Sequence, residues 1–294
     1  MSTLIVQKPV TAPWICSQKG KQKVTMLTAY DYPTATYLDG CGIDMILVGD
    51  SVATVMYGEP NTLSVTVDDI IRHTKAVTRG AQRAMVVSDM PFMSYQVNAE
   101  QALTNAGRFL KEGLAQAIKL EGGTEIAPTI QVITRAGIPV MGHIGLTPQS
   151  IHAMGSYRTH GKNLKEREYL LESAHRITEA GAFALVLECV EESLAEQITQ
   201  EIRIPTIGIG AGPNCDGQVL VTQDLVGLTV GRVPRFVNPL ASLREPFQAA
   251  IESFIQRTKV PVPNSDAEIL GLIASVPNPS ENSMQKDPNL VTGN

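Results

Sequence analysis

Short apolar runs recur along this chain at intervals of about 30–40 residues, and each ends on a polar residue or a glycine. Met45-Ile46-Leu47-Val48-Gly49-Asp50-Ser51 is the clearest of them. Four consecutive apolar residues without polar alternation describe a strand buried on both faces, as in a parallel sheet. Six more runs have this form: 24–29, 84–89, 115–121, 138–143, 183–188 and 204–210. An eighth is faint and is best placed within 225–230. Helical patterns fill the intervals: 33–40, 66–80, 98–112, 123–136, 165–180, 191–202 and 243–257. Thr66 is a fitting N-cap, with Asp68 and Asp69 in the first turn. Residues 51–64 form a long irregular loop after the second strand, a position that commonly carries function.

Alternating strands and helices imply βα units and a parallel sheet. Seven clear units and one faint one predict the α/β class and a (β/α)8 TIM barrel, a single domain over 23–262. A doubly wound open sheet is the alternative, but no G-x-G-x-x-G follows the first strand. Residues 1–22, with lysines and prolines, read as a short N-terminal arm over the surface. Residues 263–294, rich in Pro, Asn and Ser, read as a flexible C-terminal tail in which 266–275 can form a short helix.

Composition narrows the class. With 294 residues, 43% hydrophobic and 18% charged, the chain can build a sizeable core. A net charge of −5 argues against nucleic acid or an anionic membrane as the main partner. Cys16, Cys41, Cys189 and Cys215 are scattered, which suits reduced thiols in a cytoplasmic protein better than disulfides or a zinc site. No apolar run approaches the ~18 residues of a membrane span. Leu4-Ile5-Val6 is too short for the apolar core of a signal peptide.

The chemistry lies at the strand ends, which in a barrel converge on one pocket. Here they carry Asp50, Ser51, Asp89, Lys119, Glu121, His143 and Glu188. Each alone has a plain structural role: an aspartate caps a helix, a lysine snorkels, a histidine is held by hydrogen bonds. Together they mean more. Lys119 and Glu121, two apart on a strand, point the same way. Clustered carboxylates repel and hold protons more tightly unless a cation sits among them. An all-oxygen ligand set suits Mg2+ first. Lys119 would then offer a fixed positive charge to an anionic substrate. Gly208-Ile209-Gly210-Ala211-Gly212 is either a phosphate loop or a tight turn; it lacks the G-K-[ST] of a P-loop.

Eight segments together resemble one family, ketopantoate hydroxymethyltransferase. They are MLTAYDYPTA from Met26, LVGDS from Leu47, TLSVTVDD from Thr62, SDMPFMSY from Ser88, IKLEGG from Ile118, GHIGLTPQS from Gly142, LVLEC from Leu185 and PTIGIGAGPNCDGQ from Pro205. The resemblance implies a (β/α)8 barrel and a Mg2+-dependent aldol-type transfer. A hydroxymethyl group passes from 5,10-methylenetetrahydrofolate to 3-methyl-2-oxobutanoate, giving 2-dehydropantoate for pantothenate and coenzyme A synthesis. Carried over by motif, Asp50, Asp89 and Glu121 match the metal carboxylates. Asp50, Ser51, Asp89 and Lys119 match the oxo-acid contacts, and Glu188 matches the proton acceptor. His143 is either a water-positioning group or a hydrogen-bonded wall residue. The family also implies a homo-oligomer, commonly a decamer.

There are two departures from the family pattern. Leu63-Ser64-Val65-Thr66 stands where many members have LPVT, and residues 154–161 differ from the usual G-G-Y-[KR]-x-Q-G. Two other readings compete. Another Mg2+-dependent carbon–carbon lyase or mutase would use a cysteine near the metal, with Cys189 the nearest candidate, or extra arginines. A catalytically silent barrel would lack one of the strand-end acids, and none of the expected set is missing.

Overall fold

In the computed structural model, which describes residues 8–259, the apolar runs pair side by side and close on themselves. The strands are β1 (Val24–Thr28), β2 (Met45–Val48), β3 (Met85–Asp89), β4 (Ala117–Glu121), β5 (Val140–Gly145), β6 (Ala184–Glu188), β7 (Thr206–Ile209) and β8 (Gly217–Leu220). All neighbours are parallel. Strand β8 closes the barrel by pairing β1 from Val24↔Gly217 to Leu27↔Leu220. The helices are α1 (Ala12–Ser17), α2 (Tyr32–Gly40), α3 (Val52–Val55), α4 (Val67–Gly80), α5 (Ala99–Lys111), α6 (Ala127–Arg135), α7 (Ile151–Met154), α8 (Leu164–Glu179), α9 (Glu192–Glu201), α10 (Thr222–Leu225) and α11 (Arg244–Thr258). This is a (β/α)8 TIM barrel.

The chain forms two compact units. One runs to Leu243 and holds the barrel; the other starts at Arg244 and contains α11. The domain expected over 23–262 spans that boundary. The tail expected over 263–294 and the short helix within it lie outside the described residues.

Helix starts are set by side chains. Thr66 and Asp69 form a capping box on α4: Thr66 Oγ1 accepts from the Asp69 N–H at 3.2 Å, and Asp69 Oδ2 accepts from the Thr66 N–H at 3.0 Å. Asn98 and Asn163 cap α5 and α8 by accepting from the N–H groups of Gln101 and Glu166.

Strand alternation sorts the core into two layers. Val86, Ile118, Leu120, Val140, Leu185 and Leu187 face outward and pack with helix residues such as Ile70, Phe109, Ile130, Ile177 and Ile198. Met45, Leu47, Met85, Val87, Ala117, Met141, Ala184 and Val186 face inward and form the second cluster. The same parity, carried to the carboxyl ends of the strands, turns Asp89, Lys119, Glu121, His143 and Glu188 inward.

Two regions differ from expectation. The sequence reads residues 1–22 as an arm over the surface; within the described part, α1 instead buries Ile15 completely. Ile15 and Val10 join the inward cluster beside Val24, Met26 and Phe183. The apolar positions of so short a helix show no period, but the first residues of the strands leave an apolar opening for it to fill. Lys19 then pairs with Asp216 at 2.7 Å. The eighth strand is Gly217–Leu220, not a stretch within 225–230, where Leu225 ends α10. Its apolar signal is weak for a physical reason. A Cβ on Gly217 would lie 2.4 Å from the Val24 carbonyl oxygen, and Gln218 faces solvent.

Candidate active site

The sheet register brings charged residues face to face. Asp89 stands opposite Lys119, and Glu121 stands opposite His143. Lys119 Nζ lies 3.1 Å from Asp89 Oδ1 and 3.6 Å from Glu121 Oε1. It is also 3.1 Å from His143 Nδ1. The imidazole continues the line: Nδ1 is 3.4 Å from Glu121 Oε1 and Nε2 is 3.2 Å from Glu188 Oε2. Asp50 joins from the end of β2, its N–H donating to Asp89 Oδ2 at 3.0 Å. Asp50, Asp89, Lys119, Glu121 and His143 are all at most 6% exposed, while the Glu188 side chain is 18% exposed. Glu188 is thus the acid of this array nearest to solvent.

Burial and charge decide the protonation of these groups. Burial pushes the Asp50 carboxyl well above the usual range, and the neighbouring Glu121 and Asp89 charges push it further. Burial also raises Asp89, against the pull of Lys119. Glu121 moves the other way: burial raises it, but Lys119 and His143 outweigh this and hold it low. Burial acts to discharge Lys119, yet Asp89, Glu121 and Asp50 keep it protonated. Burial and the Lys119 ammonium push His143 down, but Glu121 and Glu188 overcome both and raise it to about 9. Like charges crowded in a dry pocket produce this pattern.

Ser51 opens α3, and its Oγ lies 2.8 Å from the Tyr30 hydroxyl. Gly49 gives the turn its room, since a Cβ there would sit 2.7 Å from Ser51 Oγ and 3.4 Å from Asp89 Oδ2. All seven strand-end residues singled out in the sequence therefore lie at one mouth of the barrel. The glycine-rich loop after β7 acts as a tight turn. Gly210 and Gly212 have φ of +61° and +80°, and the Phe236 ring and Glu192 side chain fill the space where their side chains would be. Cys189 is a poor nucleophile, because burial and then the Glu188 charge raise its thiol to about 12.

Comparison with known proteins settles the family. The sequence pattern of a family described as Ketopantoate hydroxymethyltransferase matches residues 9–261. The chain belongs to the ketopantoate hydroxymethyltransferase family. It is 55% identical over 238 residues to a 3-methyl-2-oxobutanoate hydroxymethyltransferase of Geotalea daltonii, covering 81% of this chain and 89% of that one. It is 50% identical over 260 residues to the enzyme of that name from Syntrophus aciditrophicus, covering 88% and 96%. Among solved structures, a phosphonopyruvate hydrolase in complex with oxalate and Mg2+ superposes with a TM-score of 0.58 at 13% identity, covering 90% of this chain and 95% of that one. A 2,3-dimethylmalate lyase of the PEP mutase/isocitrate lyase superfamily does so at 0.55 and 15%, covering 89% and 92%. At those identities the likeness is one of fold.

The same pocket also contains buried polar residues that strand-end reasoning missed. Gln149, 4% exposed, donates from Nε2 to Asp50 Oδ2 at 3.0 Å and to the Met90 carbonyl at 2.9 Å. Its backbone N–H donates to Glu121 Oε2 at 3.1 Å. Tyr95 lies 2.8 Å from Gln149 Oε1 and accepts from the Glu121 N–H at 3.1 Å. Both residues sit inside motifs that carried the resemblance, SDMPFMSY and GHIGLTPQS. Each comes from a turn after a strand, where no period marks it.

Proposed function

We propose that this enzyme moves a hydroxymethyl group from 5,10-methylenetetrahydrofolate to 3-methyl-2-oxobutanoate with Mg2+ in the acidic pocket, giving 2-dehydropantoate for pantothenate synthesis. The observation that carries this reading is a crowding of acids: Asp50, Asp89 and Glu121 are buried together, with Lys119 and His143 set against them. Asp89 Oδ1, fully buried, faces the Lys119 ammonium at 3.1 Å. Among the described residues no three acidic or imidazole groups already stand close enough to share an ion, and Lys119 sits between Asp89 and Glu121. The donor chemistry nonetheless fits a hard divalent cation: three buried carboxylates, with the Asp50 carboxyl held well above its ordinary pKa by burial and by its acidic neighbours. Asp50, Asp89 and Glu121 would hold it. When bound it would supply Lewis acidity toward the keto oxygen of the oxo acid.

The protein's own groups divide the remaining work. Lys119 holds the substrate carboxylate as a fixed cation. Ser51 donates to the same substrate from its hydroxyl or N–H. Glu188, the most exposed acid of the array, removes the C3 proton, and a well-placed base of this kind contributes about 10²–10⁴-fold. His143, 3.2 Å away, steadies the carboxyl that results. The substrate carbon then bonds to the folate-borne methylene carbon, and water replaces that carbon's remaining bond to folate nitrogen, leaving its hydroxyl on the product and a proton on the released tetrahydrofolate. A homo-oligomer in the cytoplasm is the assembly carried over from the family, checked by light scattering.

The test follows the C3 proton of 3-methyl-2-oxobutanoate by NMR in D2O, with and without Mg2+, before folate is added. Metal-dependent loss of the signal is the expected outcome. A signal that persists with metal bound, and still persists when folate is present, removes the pocket from this chemistry.

A further inference from the structure

Four hydrogen bonds and one step along the chain form a closed ring that begins and ends at Ser51. Ser51 Oγ meets the Tyr30 hydroxyl at 2.8 Å. The Tyr30 carbonyl meets His73 Nδ1 at 2.6 Å, and His73 Nε2 meets the Tyr57 hydroxyl at 2.7 Å. The Tyr57 N–H donates to the Val52 carbonyl at 3.1 Å, and Val52 follows Ser51 in the chain. The donors are fixed by chemistry. A carbonyl only accepts, so His73 Nδ1 carries the hydrogen. In that tautomer Nε2 is the acceptor for the Tyr57 hydroxyl. Both tyrosine rings also flank the imidazole, Tyr30 edge-on at 6.4 Å and Tyr57 tilted at 5.7 Å.

The members come from four places: the end of β1, the start of α3, the loop after α3, and the middle of α4. Tyr30 is 1% exposed, whereas Tyr57 is 47% exposed. The ring therefore ties a surface side chain to a buried one through a single imidazole. It holds Ser51 from two sides, by its hydroxyl through Tyr30 and by its backbone through Val52.

We infer that His73 and Tyr57 are positioning residues for oxo-acid binding, setting the place of Ser51 without touching the substrate. This rests on the reading of Ser51 as an oxo-acid contact, made through its hydroxyl. Loss of one such bond shifts an equilibrium by about three- to tenfold.

The experiment is a double-mutant cycle with Ser51→Ala and Tyr57→Phe in the full-length, Mg2+-loaded enzyme, reading KM for 3-methyl-2-oxobutanoate, KM for the folate donor, and kcat. Tyr57→Phe removes one hydroxyl from a half-exposed site, so the fold survives, and an unchanged Tm checks this. The expected result is an oxo-acid KM raised about three- to tenfold, with the folate KM and kcat within about twofold. In the Ser51→Ala background the second substitution adds nothing, because its path to the substrate is gone. His73→Gln, whose amide can still reach the Tyr57 hydroxyl, falls between wild type and Tyr57→Phe. If Ser51→Ala raises the oxo-acid KM but Tyr57→Phe does not, the ring has no positioning role and the proposal fails alone. Additive effects in the cycle overturn it as well. An unchanged KM in Ser51→Ala overturns the hydroxyl contact and, with it, the positioning role.

Discussion

The two mouths of this barrel are built from the same strands and could hardly differ more. At the amino ends, Met45, Met85, Ala117, Met141 and Ala184 point inward, and α1 lays Ile15 over them. At the carboxyl ends, two or four residues further along the same faces, the inward positions carry Asp89, Lys119, Glu121, His143 and Glu188. One end is filled for packing. The other buries like charges that a stability-driven sequence would avoid, because uncompensated buried charge is costly. The contrast locates function independently of any relative: it lies where the molecule departs from the arrangement that would hold it together best.

That contrast can be broken from either side. The largest effect is expected at the acidic mouth. Glu188→Gln should bind the oxo acid but lose C3 proton exchange by about 10²–10⁴-fold, read by NMR in D2O. Exchange at the wild-type rate would take Glu188 out of the base role. At the other mouth, Ile15→Ala should cost about 2–5 kcal/mol of stability in denaturant titration while leaving the oxo-acid KM unchanged. A changed KM would mean that the two ends are coupled.

A pH titration sharpens the same point. His143 is raised from 6.5 to about 9 in the folded protein. Its contribution to stability is therefore fully present below pH 6.5 and is lost as pH rises through about 9. The metal-free protein should lose up to about 1.4 kcal/mol per pH unit in that window from this group. His143→Gln should flatten the slope, and an equal slope in both proteins would show that the imidazole is neutral throughout. The smallest expected effect has the opposite sign. Asp50→Asn keeps an acceptor for Gln149 and removes one of the crowded charges. It should stabilise the metal-free fold by about 1 kcal/mol while abolishing turnover. A destabilised Asp50→Asn variant would argue that the acidic mouth is not under electrostatic stress.

Much of this was legible before any coordinates. Strands buried on both faces leave unbroken apolar runs, so seven strands and the polar residues that end them could be placed by eye. β8 escaped because its glycine answers to the β1 backbone and its glutamine to solvent, leaving Val219 as its one buried apolar residue. Gln149, Tyr95, Tyr30 and His73 escaped for a different reason. Their roles depend on which turn meets which strand end, and pairs such as Gln149 and Asp50 are 99 positions apart. A local pattern cannot report a contact made only when the sheet closes. The N-terminal segment shows the same limit, because α1 is too short to display a period and its apolar residues need a finished floor to cover.

The seam between β1 and β8 also sets a clock. Val24 and Gly217, paired in the closed barrel, lie 193 positions apart, and Lys19 waits on Asp216 at the same seam. At typical synthesis rates the ribosome needs roughly 10–40 s to travel that distance. For all that time β1 has an open edge, the kind of surface that recruits strands from other chains. The segment made first is thus among the last to be seated. The yield of correctly closed barrels in a cell depends on how well that one edge is shielded while the remaining strands emerge.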